Sequence, residues 1–588
     1  MIKARAQPHG SVPQTHAKHG VAWGNAMAGR HGHAYRQLSL DVGLGVSAEV
    51  YEVDESGEHG EVFTRRWVVD LILDLSGFTV DRDLCSYLAI EPSCGAGAFL
   101  VPMTERLIDS CQRHGRPLTD VRRALRAFDL LPANAELAQK AVGKALADAG
   151  LGHIEAQAIA HECVRCGDFL LSAHEDGSAD FVLGNPPYIR LEDVPSPRRD
   201  AYRRACPTMR GRSDIFIGFI ETGLRLLAPD GVLGFIVADR WMHNQYGHGL
   251  RQYVAAEFSV ETVLSMHDVD AFEEPVSAYP AITIIRRARQ STAVVATATK
   301  AFSESQAGAL RTFTMSRRKS LTTASLSAVK LPTWFDAETS WPSGNPANLA
   351  LIADLESRLP LLEDPATGTR VGIGVATGVD SVYLTKNSEL VEPDRLLPLL
   401  MTRDTTEGTA DWSGTYLVSP WKDGRLVDLA DYPRLQKHFT ANAAAIKARH
   451  VAKNSPERWY RTIDRVEPGL QQRDKIVIPD LKAYIQPVLD RGQTYPHHGL
   501  YFVTSDKWDL EVLGGLLLSD LAELFVATYC VKMRGGTYRF QAQYLRRIRV
   551  PNIESVGKRD QAALRRAFEA RDRERASVIA RQLYGVDV

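Results

Sequence analysis

The stretch Phe181-Val182-Leu183-Gly184-Asn185-Pro186-Pro187-Tyr188 joins an apolar strand to a loop. Two consecutive prolines cannot extend a strand or continue a helix, so we expect a rigid loop that begins where the strand ends. Short apolar runs at 87–90, 127–130, 233–237 and 281–285 alternate with segments of helical spacing at 67–75, 133–147 and 216–227. This alternation predicts an α/β fold with a parallel sheet, in which ligands bind at the carboxyl ends of the strands.

The loop after residue 184 presents three groups with distinct chemistry. Asn185 carries an amide, and the carbonyl of Pro186 is followed by a residue that has no N–H. These two oxygens can accept two hydrogen bonds from an exocyclic amino group while the ring of Tyr188 stacks on a flat base. Asn-Pro-Pro is also a common surface turn, so the tetrapeptide alone leaves that reading open.

Two upstream loops have the same relation to their strands. Glu91 and Pro92 lead into a Gly95-x-Gly97 turn, where the missing Cβ atoms let a ligand approach the backbone closely. Asp129 ends the next strand, where a carboxylate can accept hydrogen bonds from ribose hydroxyls. Asp168 precedes the strand at 181–183 and can accept from an adenine amino group, although a single Asp in a loop is more often only solvated.

Composition excludes several classes of protein. With 588 residues, 44% hydrophobic and 24% charged, the chain has the length of several globular domains. No apolar run approaches the roughly 20 residues that cross a bilayer, and the basic N-terminus lacks the apolar region of a secretory signal. Seven scattered cysteines do not indicate a disulfide framework. We therefore expect a cytoplasmic protein without a membrane partner.

The C-terminal part concentrates positive charge, although the net charge of the chain is only −1. Aromatic residues interleave with six basic ones and no acid intervenes, a pattern typical of nucleic-acid contact surfaces. A solvated basic face is the alternative reading. The candidate DNA-binding residues are Lys532, Arg534, Arg539, Arg546, Arg547 and Arg549.

Taken together, these motifs resemble the amino-methylating DNA methyltransferases, specifically the γ-class, Taq-type N6-adenine enzymes of restriction-modification systems. The resemblance runs from about Gly60 to the C-terminus. More narrowly, the chain is similar to the Sal- and Xam-type modification methylases. Residues 60–69 resemble the opening motif of the family, which includes Thr64, with Arg65 where the family has proline. The segment around Phe272 is similar to the one that supplies a second aromatic ring against the target base.

The resemblance implies a fold, a division into domains and a cofactor. We expect a Rossmann-like, seven-stranded methyltransferase domain at 58–300 and an α+β target-recognition domain at 346–588, with a poorly ordered leader at 1–57 and a connector at 301–345. The implied catalytic residues are Asn185, Pro186, Tyr188 and Phe272. The implied contacts to S-adenosyl-L-methionine are Thr64, Glu91, Pro92, Gly95, Gly97, Asp129, Asp168 and Asn185.

The implied activity is methylation of adenine N6 in double-stranded DNA at a specific site, on a base flipped out of the duplex. Such an enzyme protects host DNA from a separately encoded cognate restriction endonuclease. Cytosine-N4 methylation, methylation of RNA or of a protein glutamine, and a fused restriction-methylation enzyme are the alternatives, and a non-catalytic DNA-binding protein with a vestigial methylase fold is a further one. Cytosine-C5 chemistry needs a nucleophilic cysteine, and Cys206-Pro207 reverses the order found in that family.

A zinc site at His161, Cys163 and Cys166 is disfavoured because no second ligand pair lies near it in the sequence. We therefore expect no metal.

Overall fold

The computed structural model describes residues 37–40, 48–51, 62–274, 279–332, 334–335, 340–406, 408–530 and 537–586. Within the segment expected as a leader, 1–57, the described residues form two antiparallel strands, β1 (Gln37–Leu40) and β2 (Ala48–Tyr51). The rest of that segment lies outside the described residues.

A ten-stranded mixed sheet organises the first half of the chain. Its strands are β3 (Ala89–Glu91), β4 (Leu125–Asp129), β5 (Val164–Cys166), β6 (Ala179–Gly184), β7 (Leu227–Ala238), β8 (Ser259–Ser265), β9 (Pro280–Arg286), β10 (Ala293–Ala298), β11 (Ser320–Thr322) and β12 (Leu326–Leu331). They lie in the order β11-β12-β10-β8-β9-β7-β6-β3-β4-β5. The pairs that β3 to β7 form among themselves are parallel, whereas β9 is antiparallel to both β7 and β8.

The seven strands β3 to β9 form the expected Rossmann-like methyltransferase sheet, so the predicted fold class is confirmed. All five strands predicted from apolar runs are present within two residues at their carboxyl ends. The helices are α1 (Arg66–Leu75), α2 (Leu100–His114), α3 (Val121–Ala124), α4 (Pro132–Asp148), α5 (His153–Cys163), α6 (Ser196–Ala205), α7 (Phe216–Leu226), α8 (His248–Glu257) and α9 (Glu304–Met315).

Side chains of the sheet alternate between two apolar layers. In β6, Phe181 and Leu183 pack with α1, α2, α4 and α5 on one face, while Val182 packs with α7 and α8 on the other. Both faces of these strands are therefore buried, which is why the strands have apolar sequences without polar alternation. The loops at their carboxyl ends remain free to hold a ligand.

The segment expected as a connector, 301–345, is largely built into this sheet. α9 packs on α1, and β12 pairs with β10 over six residues, with Leu326 and Ala328 buried. The sequence of this segment predicts a loop rather than a strand because it is rich in Ser, Thr and Ala, and small residues of this kind are common in loops. The sheet thus continues to Leu331.

The C-terminal region contains two four-stranded sheets, ordered β13-β23-β19-β21 and β14-β16-β15-β22. The strands are β13 (Arg370–Ile373), β14 (Leu384–Thr385), β15 (Leu396–Leu400), β16 (Tyr416–Val418), β17 (Trp421–Lys422), β18 (Arg425–Leu426), β19 (Asp474–Pro479), β20 (Leu481–Lys482), β21 (Val488–Arg491), β22 (Tyr495–Pro496), β23 (Leu500–Thr504) and β24 (Tyr538–Arg539). This α+β composition agrees with the predicted second fold.

The helices of this region are α10 (Pro346–Arg358), α11 (Asp380–Tyr383), α12 (Pro433–Ala441), α13 (Ala443–Lys447), α14 (His450–Asn454), α15 (Leu510–Leu518), α16 (Asp520–Tyr529), α17 (Ala542–Leu545), α18 (Lys558–Glu569) and α19 (Arg573–Tyr584). The last two, α18 and α19, are separated by a short turn. Arg571 between them has φ +56°, which ends α18, and the Asp572 carboxylate accepts from the N–H of Arg575 to begin α19. None of the helices in the described ranges is long and apolar enough to cross a membrane.

Candidate active site

A cleft of about 920 Å³ opens at the carboxyl ends of β3, β4 and β6. It brings together predicted site residues that are up to 124 positions apart in the sequence, Thr64 and Tyr188. The predicted residues that line it are Thr64, Glu91, Pro92, Gly95, Asp129, Asp168, Asn185, Pro186 and Tyr188. Gly97 and Phe272 are the two predicted site residues of this half of the chain that do not line it.

The orientation of the Asn185 amide is set by the segment that precedes α1. Its Nδ2 donates to the carbonyl of Val62 at 2.8 Å and to Oγ1 of Thr64 at 3.1 Å. Its Oδ1 is buried and has no hydrogen-bond partner among the described residues. A buried acceptor without a donor is costly, so this oxygen is available for a ligand N–H.

The carbonyl of Pro186 lies beside this free acceptor in the chain and receives no hydrogen bond from the described backbone N–H groups. Pro186 itself is buried and its successor Pro187 has no N–H to donate. The loop therefore carries, on consecutive residues, two acceptors without a described donor, and their predicted joint role stays a prediction.

Aromatic rings flank the same loop. The Tyr188 ring meets the Phe272 ring edge to face, with centroids 6.2 Å apart, and lies 6.4 Å from the ring of Phe216. Its hydroxyl donates to the carbonyl of Ile236 at 3.2 Å, and burial raises the pKa of this hydroxyl. Tyr188 is thus held at both ends and stays neutral, with part of its surface exposed in the cleft.

A short backbone pairing holds Phe272 beside Tyr188, behind the lining of the cleft. Thr64 and Phe272 form an isolated antiparallel bridge, the N–H of Arg65 donates to Ala271 at 3.0 Å, and the N–H of Glu273 donates to Phe63 at 2.9 Å. The Arg65 guanidinium also lies 2.8 Å from the carboxylate of Asp270. The arginine that stands in place of the family's proline therefore ties the opening segment to the segment of Phe272.

The glycine turn is held by Asp129, the acid that ends β4. Gly95 and Gly97 have φ values of +50° and +104°, which favour glycine, and the N–H of Gly95 donates to Oδ2 of Asp129 at 2.8 Å. Oδ1 of Asp129 accepts from the N–H of Leu131 at 2.9 Å. Asp129 therefore orders the cleft wall in addition to any contact with a ligand.

Glu91 is the most deeply buried acid of the cleft, with 1% of its surface exposed. Burial, and secondarily the nearby Asp129, raises the pKa of its carboxyl well above the usual range. Its Oε2 has no hydrogen-bond partner among the described residues. A buried acidic oxygen in this position fits a ligand that brings hydroxyl or cationic donors.

Asp168 lines the cleft but has several protein partners. The hydroxyl of Tyr202 donates to its Oδ2 at 2.8 Å, the N–H of Leu170 donates to Oδ1 at 3.1 Å, and Arg198 lies 3.2 Å away. Burial raises the pKa of this carboxyl, and Arg198 and Tyr202 partly oppose the shift. Sequence reasoning missed Tyr202, which lines the same cleft from α6.

A second and larger cleft of about 2340 Å³ lies between the sheet region and the C-terminal region. Arg539 and Arg547 line it; Arg539 also pairs with Asp480, and the guanidinium of Arg547 lies 4.1 Å from the ring of Tyr529. Two other predicted DNA-binding residues, Arg546 and Arg549, make hydrogen bonds within the C-terminal region. Arg546 donates to the carbonyl of Val371 at 2.8 Å and Arg549 to that of Leu359 at 3.2 Å.

Lys532 and Arg534 lie outside the described residues. The opposite wall of the second cleft was missed by the sequence reasoning, because its polar residues are divided between the loop after α6 and the segment that leads into and includes the first turn of α8. These residues are Arg210, Arg212, His243, Asn244, Gln245, Tyr246, His248 and Arg251. The C-terminal wall adds Gln541, Gln543 and Tyr544, which lay inside the predicted basic segment.

Comparison with known proteins gives two family matches. Residues 129–272 match the model of the Eco57I restriction-modification methylase, and residues 432–550 match the TaqI-like C-terminal specificity domain. Among solved structures, the type IIL restriction-modification enzyme MmeI in complex with DNA overlaps 89% of this chain and 73% of its own, with 11% identity and a TM-score of 0.46.

Two curated relatives match nearly end to end. The chain is 42% identical over 543 residues to the type II methyltransferase M.XhoI of Xanthomonas vasicola, across 90% of this chain and 98% of the relative. It is 42% identical over 535 residues to M.PaeR7I of Pseudomonas aeruginosa, across 90% and 92%. These matches confirm the Taq-type resemblance and support S-adenosyl-L-methionine as the cofactor, and the narrower Sal- and Xam-type likeness stays a prediction. The chain belongs to the type II DNA methyltransferases of restriction-modification systems.

Proposed function

We propose that the protein methylates adenine N6 at a specific site in double-stranded DNA. The observation that carries the proposal is the buried, unpartnered Oδ1 of Asn185, next to the carbonyl of Pro186 and an aromatic ring in one cleft. Two adjacent acceptors and a flat apolar surface match an exocyclic amino group on a ring. An enzyme that attacked through its own nucleophile would need a different set of groups.

The chemistry follows from the weakness of an aromatic amine as a nucleophile. The lone pair of adenine N6 is delocalised into the ring, and inside a duplex the amino group is out of reach of the cleft. The base must therefore leave the stack. Asn185 Oδ1 and the Pro186 carbonyl would accept hydrogen bonds from the two N–H groups of the amine and draw the nitrogen toward tetrahedral geometry, which frees its lone pair for in-line attack. One of the two amino protons would afterwards be lost to solvent.

Ring contacts would hold the base for this attack. Tyr188 is fixed by its bond to the Ile236 carbonyl, and Phe272 supports it edge to face. Positioning of this kind makes the approach of the two reacting atoms effectively intramolecular. No covalent enzyme intermediate is needed.

The cofactor would occupy the part of the cleft between the glycine turn and the catalytic loop. Bound there, S-adenosyl-L-methionine supplies an electrophilic methyl group. Glu91 and Asp129 would accept from its donors, Gly95 would allow close approach to the backbone, and Thr64, Pro92 and Asp168 would complete the walls. Gly97 would act through the turn conformation rather than by contact, since it lies outside the lining.

DNA would lie in the second cleft, between the proposed catalytic domain at 58–300, extended by its sheet to Leu331, and the proposed target-recognition domain at 346–588. Arg539, Arg547 and the polar loop residues on the opposite wall would contact the duplex. We place the reaction in the cytoplasm, where modification would protect host DNA from a separately encoded cognate endonuclease.

The test is incubation of the protein with methyl-labelled cofactor and unmethylated bacterial DNA, followed by nucleoside analysis and mapping of modified sites. We expect N6-methyladenine in one short motif. Label in N4-methylcytosine would refute the base assignment. Absence of label from DNA, with label in RNA or protein, would refute the substrate class.

A further inference from the structure

We propose that Asp380, His497 and His498 form a binding site for a divalent transition-metal ion with the preferences of Zn²⁺. The cluster lies in the C-terminal region, where α11 begins and β22 has just ended. None of the three residues lines either cleft, so the site is separate from the proposed methyl transfer. The sequence predicted no metal because its single Cys-x-x-Cys has no second ligand pair nearby. Asp380 and His497 are 117 residues apart, so only the fold brings them together.

The spacing of the ligand atoms suits a small tetrahedral ion. One nitrogen or oxygen from each side chain lies within 4.8 Å of the others, and Nε2 of His497 is 3.3 Å from Oδ2 of Asp380. Metal–ligand distances of about 2.0–2.1 Å place tetrahedral ligands roughly 3.4 Å apart. The two imidazole rings, with centroids 4.0 Å apart, lie on the same side of the chain although they belong to consecutive residues.

The backbone fixes the two histidines by long-range hydrogen bonds. The N–H of His497 donates to Leu400 at 3.0 Å, and the N–H of His498 donates to Val375 at 3.1 Å. Leu400 is the last residue of β15, and Val375 lies shortly after β13. These strands belong to the two different four-stranded sheets, so an ion would join α11 to both. Such a link stabilises a fold because the unfolded chain cannot assemble the ligands.

A neighbouring hydroxyl orients the third ligand. Oγ1 of Thr377 donates to Oδ1 of Asp380 at 2.5 Å, which leaves Oδ2 facing His497. Outer partners of this kind are a regular feature of protein metal sites. The Asp380 side chain is 44% exposed and that of His497 is 9% exposed, so one ligand is accessible from solvent and another is anchored.

The three donor atoms determine which ion the site prefers. Two imidazole nitrogens and one carboxylate oxygen select Zn²⁺, Ni²⁺ or Cu²⁺ over Mg²⁺ and Ca²⁺. With three protein ligands, a fourth position is left for water.

The experiment uses the full chain, freed of metal with a chelator and titrated with Co²⁺, whose visible absorption reports tetrahedral coordination. Because six of the 17 histidines precede residue 60, total binding is expected to exceed one equivalent. The comparison is therefore between wild type, His498→Ala, Asp380→Asn and the control His153→Ala, which removes an exposed histidine of α5. His498 is exposed and Asp380→Asn keeps the Thr377 bond, so both variants are expected to fold.

We expect each ligand variant to lose one equivalent of Co²⁺, the associated absorption and the rise in melting temperature caused by Zn²⁺, while the control keeps all three. Identical stoichiometry, spectrum and melting shift in wild type and in both ligand variants would overturn the proposal and leave an ordinary Asp–His hydrogen bond. Methyl transfer is not part of the readout, so this proposal and the proposed function fail independently.

Discussion

Replacing Asn185 with alanine separates the catalytic role of the amide from its structural role. The substitution removes two hydrogen bonds made by Nδ2, at 2.8 and 3.1 Å, and the free acceptor Oδ1. A hydrogen bond contributes about 1 kcal/mol net, so the free energy of unfolding should fall by roughly 2 kcal/mol. Because domains are stable by about 5–15 kcal/mol, the variant stays folded.

The expected loss of activity is larger than this loss of stability. Removing one preorganised group that acts on the developing charge of a transition state costs about 10²–10³ in rate, or roughly 2.7–4 kcal/mol. We expect at least this reduction in the single-turnover rate of methyl transfer, with affinity for the cofactor within about threefold of wild type, because the glycine turn and Asp129 are untouched.

Thr64→Val is the matched control, since it removes one partner of Nδ2 and leaves Oδ1 in place. Its rate should fall by less than about tenfold, the equivalent of one neutral hydrogen bond. Single-turnover transfer, cofactor binding by calorimetry and thermal unfolding would be measured on both variants. An Asn185→Ala enzyme that keeps its rate, or that loses rate only in proportion to lost cofactor binding, would refute the reasoning.

Three further outcomes are expected. Arg547→Ala should reduce the slope of log affinity for DNA against log salt by about 0.9, because Arg547 lines the second cleft. Arg549→Ala should leave that slope unchanged and lower the melting temperature, because the guanidinium of Arg549 donates to the carbonyl of Leu359. Equal slopes in both variants would contradict this division of roles. Tyr188→Phe should keep the transfer rate within a few-fold and cost about 1 kcal/mol of stability, while Tyr188→Ala should lose most of the rate; loss in both would give the hydroxyl a chemical role. Burial raises the pKa of Glu91 in the folded protein, so the stability that its bound proton contributes is lost as pH rises from about 4.3 through the raised pKa. Glu91→Gln should flatten this fall in the free energy of unfolding with pH, measured by urea unfolding. An unchanged pH dependence in the variant would exclude Glu91 as its source.

The sequence was most informative where structure is local. The loop at 185–188 and the strand before it were predictable because proline geometry and an apolar run act within a few residues. The orientation of the Asn185 amide was not, because it depends on Val62, which is distant in the chain. For the same reason, neighbouring arginines have different roles: Arg547 lines a cleft, whereas Arg546 bonds to Val371.

The edges of the fold were the hardest part to predict. β12 is a strand because β10 pairs with it, and its own sequence carries little strand signal. The turn between α18 and α19 depends on a positive φ at Arg571, a conformation that residues other than glycine adopt infrequently and that no local motif announced. Long-range pairing and local strain are both properties of the folded chain, so composition and periodicity cannot reveal them.

A buried carboxylate links the two clefts. The segment directly after the catalytic loop pairs with the segment of Asp214, through the N–H of Leu191 to Ser213 and the N–H of Ile215 to Ile189, both at 2.9 Å. The carboxylate of Asp214 accepts from the guanidinium of Arg240 at 2.6 and 2.8 Å and from the hydroxyl of Tyr246 at 3.0 Å.

Tyr246 lines the second cleft. Arg240 lies just after β7, which pairs with β6, the strand that precedes the loop of Asn185. The loop of Asn185 and one wall of the second cleft are therefore parts of one hydrogen-bonded unit. A displacement of about 1 Å at a reacting centre can cost 10²-fold in rate. A cleft wall that is hydrogen-bonded to the loop of Asn185 would therefore give the DNA that we propose for the second cleft a fixed position relative to Asn185.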